Sequence, residues 1–77
     1  MERMQVNFDQ EKVANAKDFL RGNGFEESTF YKAVNGVVGI LRKSGYAAEV
    51  SSAGITLKAD SINRDYVSRV VSSIGLI

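Results

Sequence analysis

The sequence predicts a small α+β domain of two layers, with the element order β-α-α-β-β-α and a β-hairpin packed against helices. The hairpin is predicted at about residues 46–59, where two runs of alternating apolar and polar residues flank a short turn that contains Gly54. Elsewhere, apolar residues recur at helical spacing in three segments, and glycine follows each of them. We therefore expect residues 1–77 to form a single small domain.

The first predicted element is a short strand, because Met4, Val6 and Phe8 alternate with polar residues. Asp9 is well placed to cap the first helix, since its carboxylate can accept hydrogen bonds from the free N–H groups of the first turn. The apolar stripe of that helix consists of Val13, Ala16, Phe19 and Leu20. The helix is expected to end at residues 22–24, Gly-Asn-Gly, because both residue types adopt the left-handed conformation of a helix end.

The second helix is predicted to run from about Thr29 to Lys43, with Ser28 or Thr29 as its N-cap. One stripe consists of Phe30, Val34, Val37 and Leu41, and it is widened by Tyr31, Val38 and Ile40. A helix this apolar lies at the centre of a fold or is covered by a partner. Gly36 and Gly39 form a ridge of small residues with Ala33, and another backbone is expected to approach closely there.

The third helix follows the hairpin, and Asp60 or Ser61 is its predicted N-cap. Its apolar side consists of Val67, Val70, Val71 and Ile74. Valine is a weak helix former, so tertiary packing must stabilise this segment. Gly75 closes the helix, and the two apolar residues after it are expected to fold back onto the domain or to meet another chain.

The residue types that the chain lacks exclude several kinds of chemistry. It has no His, Cys, Trp or Pro, which rules out disulfides, Cys-ligated metal sites and Ser-His-Asp or Cys-His catalysis within this chain. No pair of nucleophile and base is recognisable, and a domain of this size has little room for a substrate pocket. We therefore expect a protein that is not an enzyme and that uses no metal or cofactor.

Charge and hydropathy give the expected setting. Ten basic and nine acidic residues leave a net charge of +1. Residues 1–4 lack the apolar run of a secretory signal, and no window approaches the roughly 20 apolar residues of a membrane span. A cytoplasmic location without membrane contact is expected. Because so short a domain buries little of its surface, a homodimer is also expected.

Gly36-Val37-Val38-Gly39, followed by a short apolar segment, a hairpin and a final helix, resembles the nucleic-acid-binding KH domain over residues 34–77. This resemblance implies a GxxG loop that clamps a nucleic-acid backbone. Residues 37–43 followed by a hairpin also resemble the recognition helix and wing of a winged-helix domain. That second resemblance implies separate helices at residues 26–34 and 35–43.

Residues 28–77 contain six basic and three acidic residues. If these bases gather on one surface, an anionic partner would bind there; the alternative is that they are ordinary solvated side chains, which the net charge of +1 favours. Asp65 is expected to pair with Arg69 one helical turn later. Most phenylalanines lie on apolar stripes and are expected in the core, whereas Tyr31 and Tyr46 are expected to be partly exposed. The predicted binding surface consists of Tyr31, Lys32, Arg42, Lys43, Tyr46, Lys58, Arg64 and Arg69.

Small size and the absence of catalytic residue types favour a regulatory or inhibitory module, of the kind found in phages and mobile elements, that occupies a surface of a partner protein. One alternative is a nucleic-acid-binding domain of KH or winged-helix type that uses the basic second half. Another alternative is a structural subunit that forms oligomers. Strong salt dependence of binding would distinguish a nucleic-acid partner, since phosphate contacts release counterions.

Overall fold

The computed structural model describes all 77 residues and has the element order β-α-α-β-β-α. Its elements are β1 (Glu2–Asn7), α1 (Gln10–Gly22), α2 (Ser28–Lys43), β2 (Ala47–Val50), β3 (Gly54–Ala59) and α3 (Arg64–Ser72). The α+β class and the hairpin of β2 and β3 are thereby confirmed.

The three strands form one antiparallel sheet with the order β1-β3-β2, so that the last strand in sequence lies at the centre. Ile55 and Leu57 of β3 are completely buried, whereas Lys58 on the opposite face is exposed. Side chains alternate between the two faces of a strand. The helices therefore cover one face of the sheet, and the other face remains open to solvent.

The core lies between the covered face of the sheet and the three helices, with α2 at its centre. It contains fourteen buried apolar residues and no buried polar or charged residue. Five of the fourteen belong to α2, namely Phe30, Val34, Val37, Val38 and Leu41. Only Val13 of α1 is buried, so α1 is the helix least embedded in the domain.

Both α1 and α2 end at glycine in the same way. After α1, Gly24 has a φ of 80°, and the N–H of Phe25 donates to the carbonyl of Leu20 at 2.9 Å. This arrangement is a Schellman motif, in which a residue of positive φ lets the chain turn back and pair the last helical carbonyls. Gly45, with a φ of 95°, and Tyr46 repeat it at the end of α2.

The two helix starts before the hairpin differ from each other. The Asp9 carboxylate accepts from the N–H of Glu11 at 2.9 Å, and Asp9 is the N-cap of α1, as predicted. The prediction that Ser28 or Thr29 caps α2 is wrong. Both residues lie inside the helix, and the cap position is held by Glu27 without a side-chain hydrogen bond to the first turn.

The predicted N-cap of α3 at Asp60 or Ser61 is also wrong, because Asn63 holds that position and its side chain accepts from a first-turn N–H at 3.1 Å. The loop before α3 is held back against β1, where the N–H of Ile62 donates to the Glu2 carboxylate at 2.7 Å. The N–H of Ile62, which a cap at Asp60 would have to satisfy, is thus bound by Glu2 instead. The helix begins only at Arg64.

α2 is a single continuous helix through Gly36 and Gly39. The chain therefore has no GxxG loop in this segment, and the loop implied by the resemblance to a KH domain is wrong. Residues 26–43 are not divided into two helices, so the arrangement implied by the resemblance to a winged-helix domain is also wrong. Each glycine costs a helix about 1 kcal/mol relative to alanine, whereas burying one Val or Leu side chain contributes roughly 1.5–3 kcal/mol. The five buried side chains of α2 outweigh its two glycines.

The expected close approach of another backbone to these glycines is wrong within the chain, because no atom lies within 4 Å of a Cβ placed on Gly36 or Gly39. Gly39→Ala is therefore expected to raise the free energy of unfolding by about 0.5–1 kcal/mol. Urea denaturation followed by circular dichroism measures this change. A loss of stability would show that a neighbouring group does occupy the space beside Gly39.

Candidate functional site

The basic residues of the predicted binding surface do not converge on one place. Lys58 points away from the helices on the open face of the sheet, whereas Lys32 and Lys43 lie exposed on α2 in the opposite layer. Arg64 and Arg69 are exposed on α3. No single anionic surface could contact all of these side chains at once.

Two arginines bind backbone carbonyls of their own chain. The Nε of Arg42 donates to the carbonyl of Ala48 at 3.0 Å, which satisfies an acceptor on the edge strand β2. The Nε of Arg69 donates to the backbone carbonyl of Asp65 at 3.4 Å, and the expected ion pair with the Asp65 carboxylate does not form. Both arginines therefore have local structural contacts.

The two tyrosines of the predicted surface have different roles. The hydroxyl of Tyr46 accepts from the N–H of Asn63 at 3.2 Å, so this partly buried ring ties the end of α2 to the start of α3. Tyr31 is exposed, and its hydroxyl accepts from the Nζ of Lys17 at 3.2 Å. Of the two, Tyr31 is the one available to a partner.

Lys17 joins α1 to α2 through several contacts. Its Nζ lies 3.3 Å from the Glu27 carboxylate and 5.2 Å from the ring centroids of both Phe30 and Tyr31. The hydrogen bond to Tyr31, followed by that to Glu27, raises the pKa of Lys17 above its ordinary value of 10.5. The ammonium group is therefore charged at neutral pH and pairs the two helices.

The raised pKa of Lys17 makes its contribution to stability depend on alkaline pH. The contribution is complete below 10.5, the ordinary pKa of lysine, and is lost as the pH rises through the higher pKa of the folded state. Lys17→Met is expected to lower the melting temperature at neutral pH, and the difference from the wild type should shrink above about pH 10.5. Melting curves across this range, with Lys32→Met as the exposed control, measure it. A difference that is independent of pH would contradict this role of the charge.

The largest exposed apolar side chains lie at the C-terminal end of α1. Phe19, which the helical stripe places in the core, is 67% exposed, and Phe25 is 55% exposed. Leu20 lies between them in sequence and is half-buried. These three residues are defined here as the aromatic corner. A hydrophobic residue directly after the helix-ending Gly24 is the sequence signal that marks it, since the Schellman motif turns that residue back onto the helix.

An apolar groove of about 280 Å³ adjoins the aromatic corner. Eight of its nine lining residues are apolar and none is charged. Phe19 and Leu20 form the α1 wall, and Thr29 and Ala33 form the α2 wall. Ile74, which the sequence places on the third helix, lies in the turn after α3, since that helix ends at Ser72. The groove is therefore continuous with Phe19 and Leu20 of the aromatic corner, whereas Phe25 does not line it.

A second cleft of about 300 Å³ lies on the other side of α1 and shares Phe30 and Val34 with the groove. It is more polar, because Lys17, Tyr31 and the serines of the hairpin turn contribute to its lining. Glu27 neutralises the Lys17 ammonium at the edge of this cleft. The second cleft thus offers less uninterrupted apolar surface than the groove.

No protein-family model, curated protein or solved structure matches this chain. Its function is therefore inferred from the chemistry of its surface. None of the three helices has both the length and the apolar character needed to cross a bilayer. The feature that stands out chemically is the aromatic corner beside an uncharged groove.

Proposed function

We infer that the protein is a small regulatory or inhibitory binding module that has no catalytic activity and acts by occupying a surface of a partner protein. The observation that carries this proposal is the exposure of Phe19 and Phe25 at one end of α1, next to an uncharged groove. Contiguous apolar patches of this kind mark interaction sites on soluble proteins.

The energetics of aromatic side chains support a role in binding. Burying one phenylalanine side chain contributes roughly 1.5–3 kcal/mol relative to leaving it in water. The isolated chain leaves most of Phe19 and more than half of Phe25 exposed. A partner that covers the aromatic corner would gain this contribution, and aromatic residues are enriched at the cores of protein interfaces.

A nucleic-acid partner has less support. Its sequence basis was the GxxG segment and the basic second half of the chain. The GxxG segment lies within α2, and Arg42 and Arg69 bind backbone carbonyls of their own chain. Phosphate recognition depends on several cations that track one backbone, and these cations are divided between layers.

The proposal predicts that partner binding depends on the aromatic corner. Phe25→Ser is expected to weaken binding at least about tenfold, which corresponds to 1.4 kcal/mol. The wild type and two variants, Phe25→Ser and Lys32→Glu, are used to capture proteins from cells that naturally contain this chain, after nuclease treatment. The captured protein is then titrated against each purified variant.

The variant Lys32→Glu is the matched control, because Lys32 is an exposed residue of the previously predicted basic surface. It should bind like the wild type. Equal affinity of Phe25→Ser and the wild type for the captured protein would contradict the proposal, provided that the melting temperatures agree. If nuclease treatment by itself abolishes capture by the wild type, the nucleic-acid alternative is favoured instead.

A further inference from the structure

One face of α2 is left without a partner in the chain. Five residues of the helix share this face with a regular spacing of three and four: Thr29, Ala33, Gly36, Ile40 and Lys43. Glu26 lies two residues before the helix and continues this spacing, and its carbonyl accepts from the N–H of Thr29 at 3.0 Å. None of the six is buried, and Ile40 is 49% exposed. Residues three and four apart lie on the same side of a helix. These six residues are defined here as the α2 stripe.

The α2 stripe is complementary to itself when two copies run antiparallel. When the two-fold axis passes midway between Ala33 and Gly36, Ala33 lies opposite the partner's Gly36. Thr29 then lies opposite the partner's Ile40, and Glu26 lies opposite the partner's Lys43. Every position in the stripe meets another position of the same stripe, which is the requirement for an isologous interface with two-fold symmetry.

The charges at the ends of the stripe select this orientation. Glu26 and Lys43 carry opposite charges, and neither forms an ion pair within the chain, whose two ion pairs involve other residues. An antiparallel pair places each carboxylate beside an ammonium group at both ends. A parallel pair would place like charges together, which destabilises an interface.

The shape of the surface fits the same arrangement. Small residues at the centre allow two helices to approach closely, and no atom of the chain lies within 4 Å of a Cβ placed on Gly36. Thr29 and Ala33 form one wall of the apolar groove, with Phe19 on the other side. The partner's Ile40, opposite Thr29, would therefore enter this uncharged groove.

We propose that two copies of the chain pair through the α2 stripe as an antiparallel dimer with two-fold symmetry. Ile40 of each copy fills the groove of the other, and Glu26 pairs with the partner's Lys43 at both ends. The proposal goes beyond the proposed function. In the dimer the partner's Ile40 covers the groove beside Phe19, whereas Phe25 does not line the groove and stays free to bind another protein.

Sedimentation velocity of the purified full chain, over a wide range of concentrations, tests the dimer. The wild type is expected to sediment as a concentration-dependent dimer. Ile40→Glu is expected to weaken association at least about a hundredfold, because it places two charges in apolar grooves. Lys58→Glu, on the open face of the sheet, should associate like the wild type. A wild type that remains monomeric at the highest concentration would overturn the proposal.

Charge reversal tests the orientation. Glu26→Lys and Lys43→Glu are each expected to weaken association at least about fivefold, because each reversal creates like-charge contacts at both ends of the interface. The double variant restores opposite charges and should associate within about twofold of the wild type. Failure of the double variant to recover would overturn the antiparallel pairing, even if Ile40→Glu did not fold.

Different variants test the dimer and the proposed function, so that failure of one hypothesis can be distinguished from failure of the other. Phe25→Ser is expected to lose partner binding and to keep the wild-type sedimentation behaviour. Ile40→Glu is expected to become monomeric and to keep its melting temperature at low protein concentration, since Ile40 contributes nothing to the buried core of a single chain. A Phe25→Ser variant that loses its dimer would contradict the assignment of the interface to the α2 stripe.

Discussion

Gly54→Ala is expected to unfold the protein or to lower its free energy of unfolding by about 4 kcal/mol or more, which is an exceptional effect for one methyl group. A Cβ on Gly54 would lie 2.0 Å from the carbonyl oxygen of Val6 and 3.0 Å from the Cα of Asn7. Both neighbours are backbone atoms of β1, and Asn7 is the register partner of Gly54 in the sheet. Neither strand can move away without breaking the ladder between β1 and β3.

Denaturation by urea, followed by circular dichroism, measures the effect of Gly54→Ala. Gly39→Ala is the matched control, because it adds the same methyl group where the surrounding space is open. The two substitutions should change stability in opposite directions. Each kcal/mol of lost unfolding free energy lowers the melting temperature by about 4–8 °C for a domain of this size. A Gly54→Ala protein that melts within a few degrees of the wild type would contradict the close approach of β1.

The contrast between these glycines shows how much of the fold local sequence determines. Alternation around Gly54 predicts the hairpin, because neighbouring residues along the chain define it. The tight contact at Gly54 comes instead from β1, which is far away in sequence. The opposite error occurs at Gly39, where local pattern suggests a close contact and the folded chain provides none. Local spacing predicts the elements, whereas the packing partner of each face depends on topology.

The candidate site was less predictable for the same reason. A helical stripe indicates which side of α1 is apolar, but it does not show whether another element covers the end of that side. Phe19 lies on the stripe and is 67% exposed, whereas Leu20 in the same turn packs against the core. The basic residues gave the reverse result. Lys32 and Lys58 both belong to the basic second half of the chain, yet they lie in opposite layers of the fold, on α2 and on the open face of the sheet.

The second large effect is expected at the end of the chain, where Leu76 and Ile77 lie next to each other in very different surroundings. Leu76 is 3% exposed and belongs to the core, whereas Ile77 is 43% exposed. The carbonyl of Leu76 also accepts from the N–H of Asp9 at 2.6 Å, which holds this segment against the start of α1. Leu76 therefore folds back onto its own chain, as predicted, whereas the side chain of Ile77 does not join the core.

Leu76→Ala is expected to lower the free energy of unfolding by about 2–5 kcal/mol, because it removes a buried side chain and leaves a cavity. The backbone hydrogen bond to Asp9 survives in this variant, so the loss reports side-chain packing alone. Ile77→Ala, the matched control, is expected to change stability by less than about 1 kcal/mol, since this side chain is largely in water.

A domain of 77 residues has a free energy of unfolding of about 5–10 kcal/mol, so Leu76→Ala alone removes a large share of its stability. Urea denaturation of both variants at 25 °C distinguishes the two positions. Equal midpoints for Leu76→Ala and Ile77→Ala would contradict the burial of Leu76. Because Leu76 also lines the apolar groove, dimer formation by Leu76→Ala must be compared with the wild type at equal concentrations of folded protein. Under those conditions, weaker association would place the floor of the groove in the dimer interface, in addition to its α1 and α2 walls.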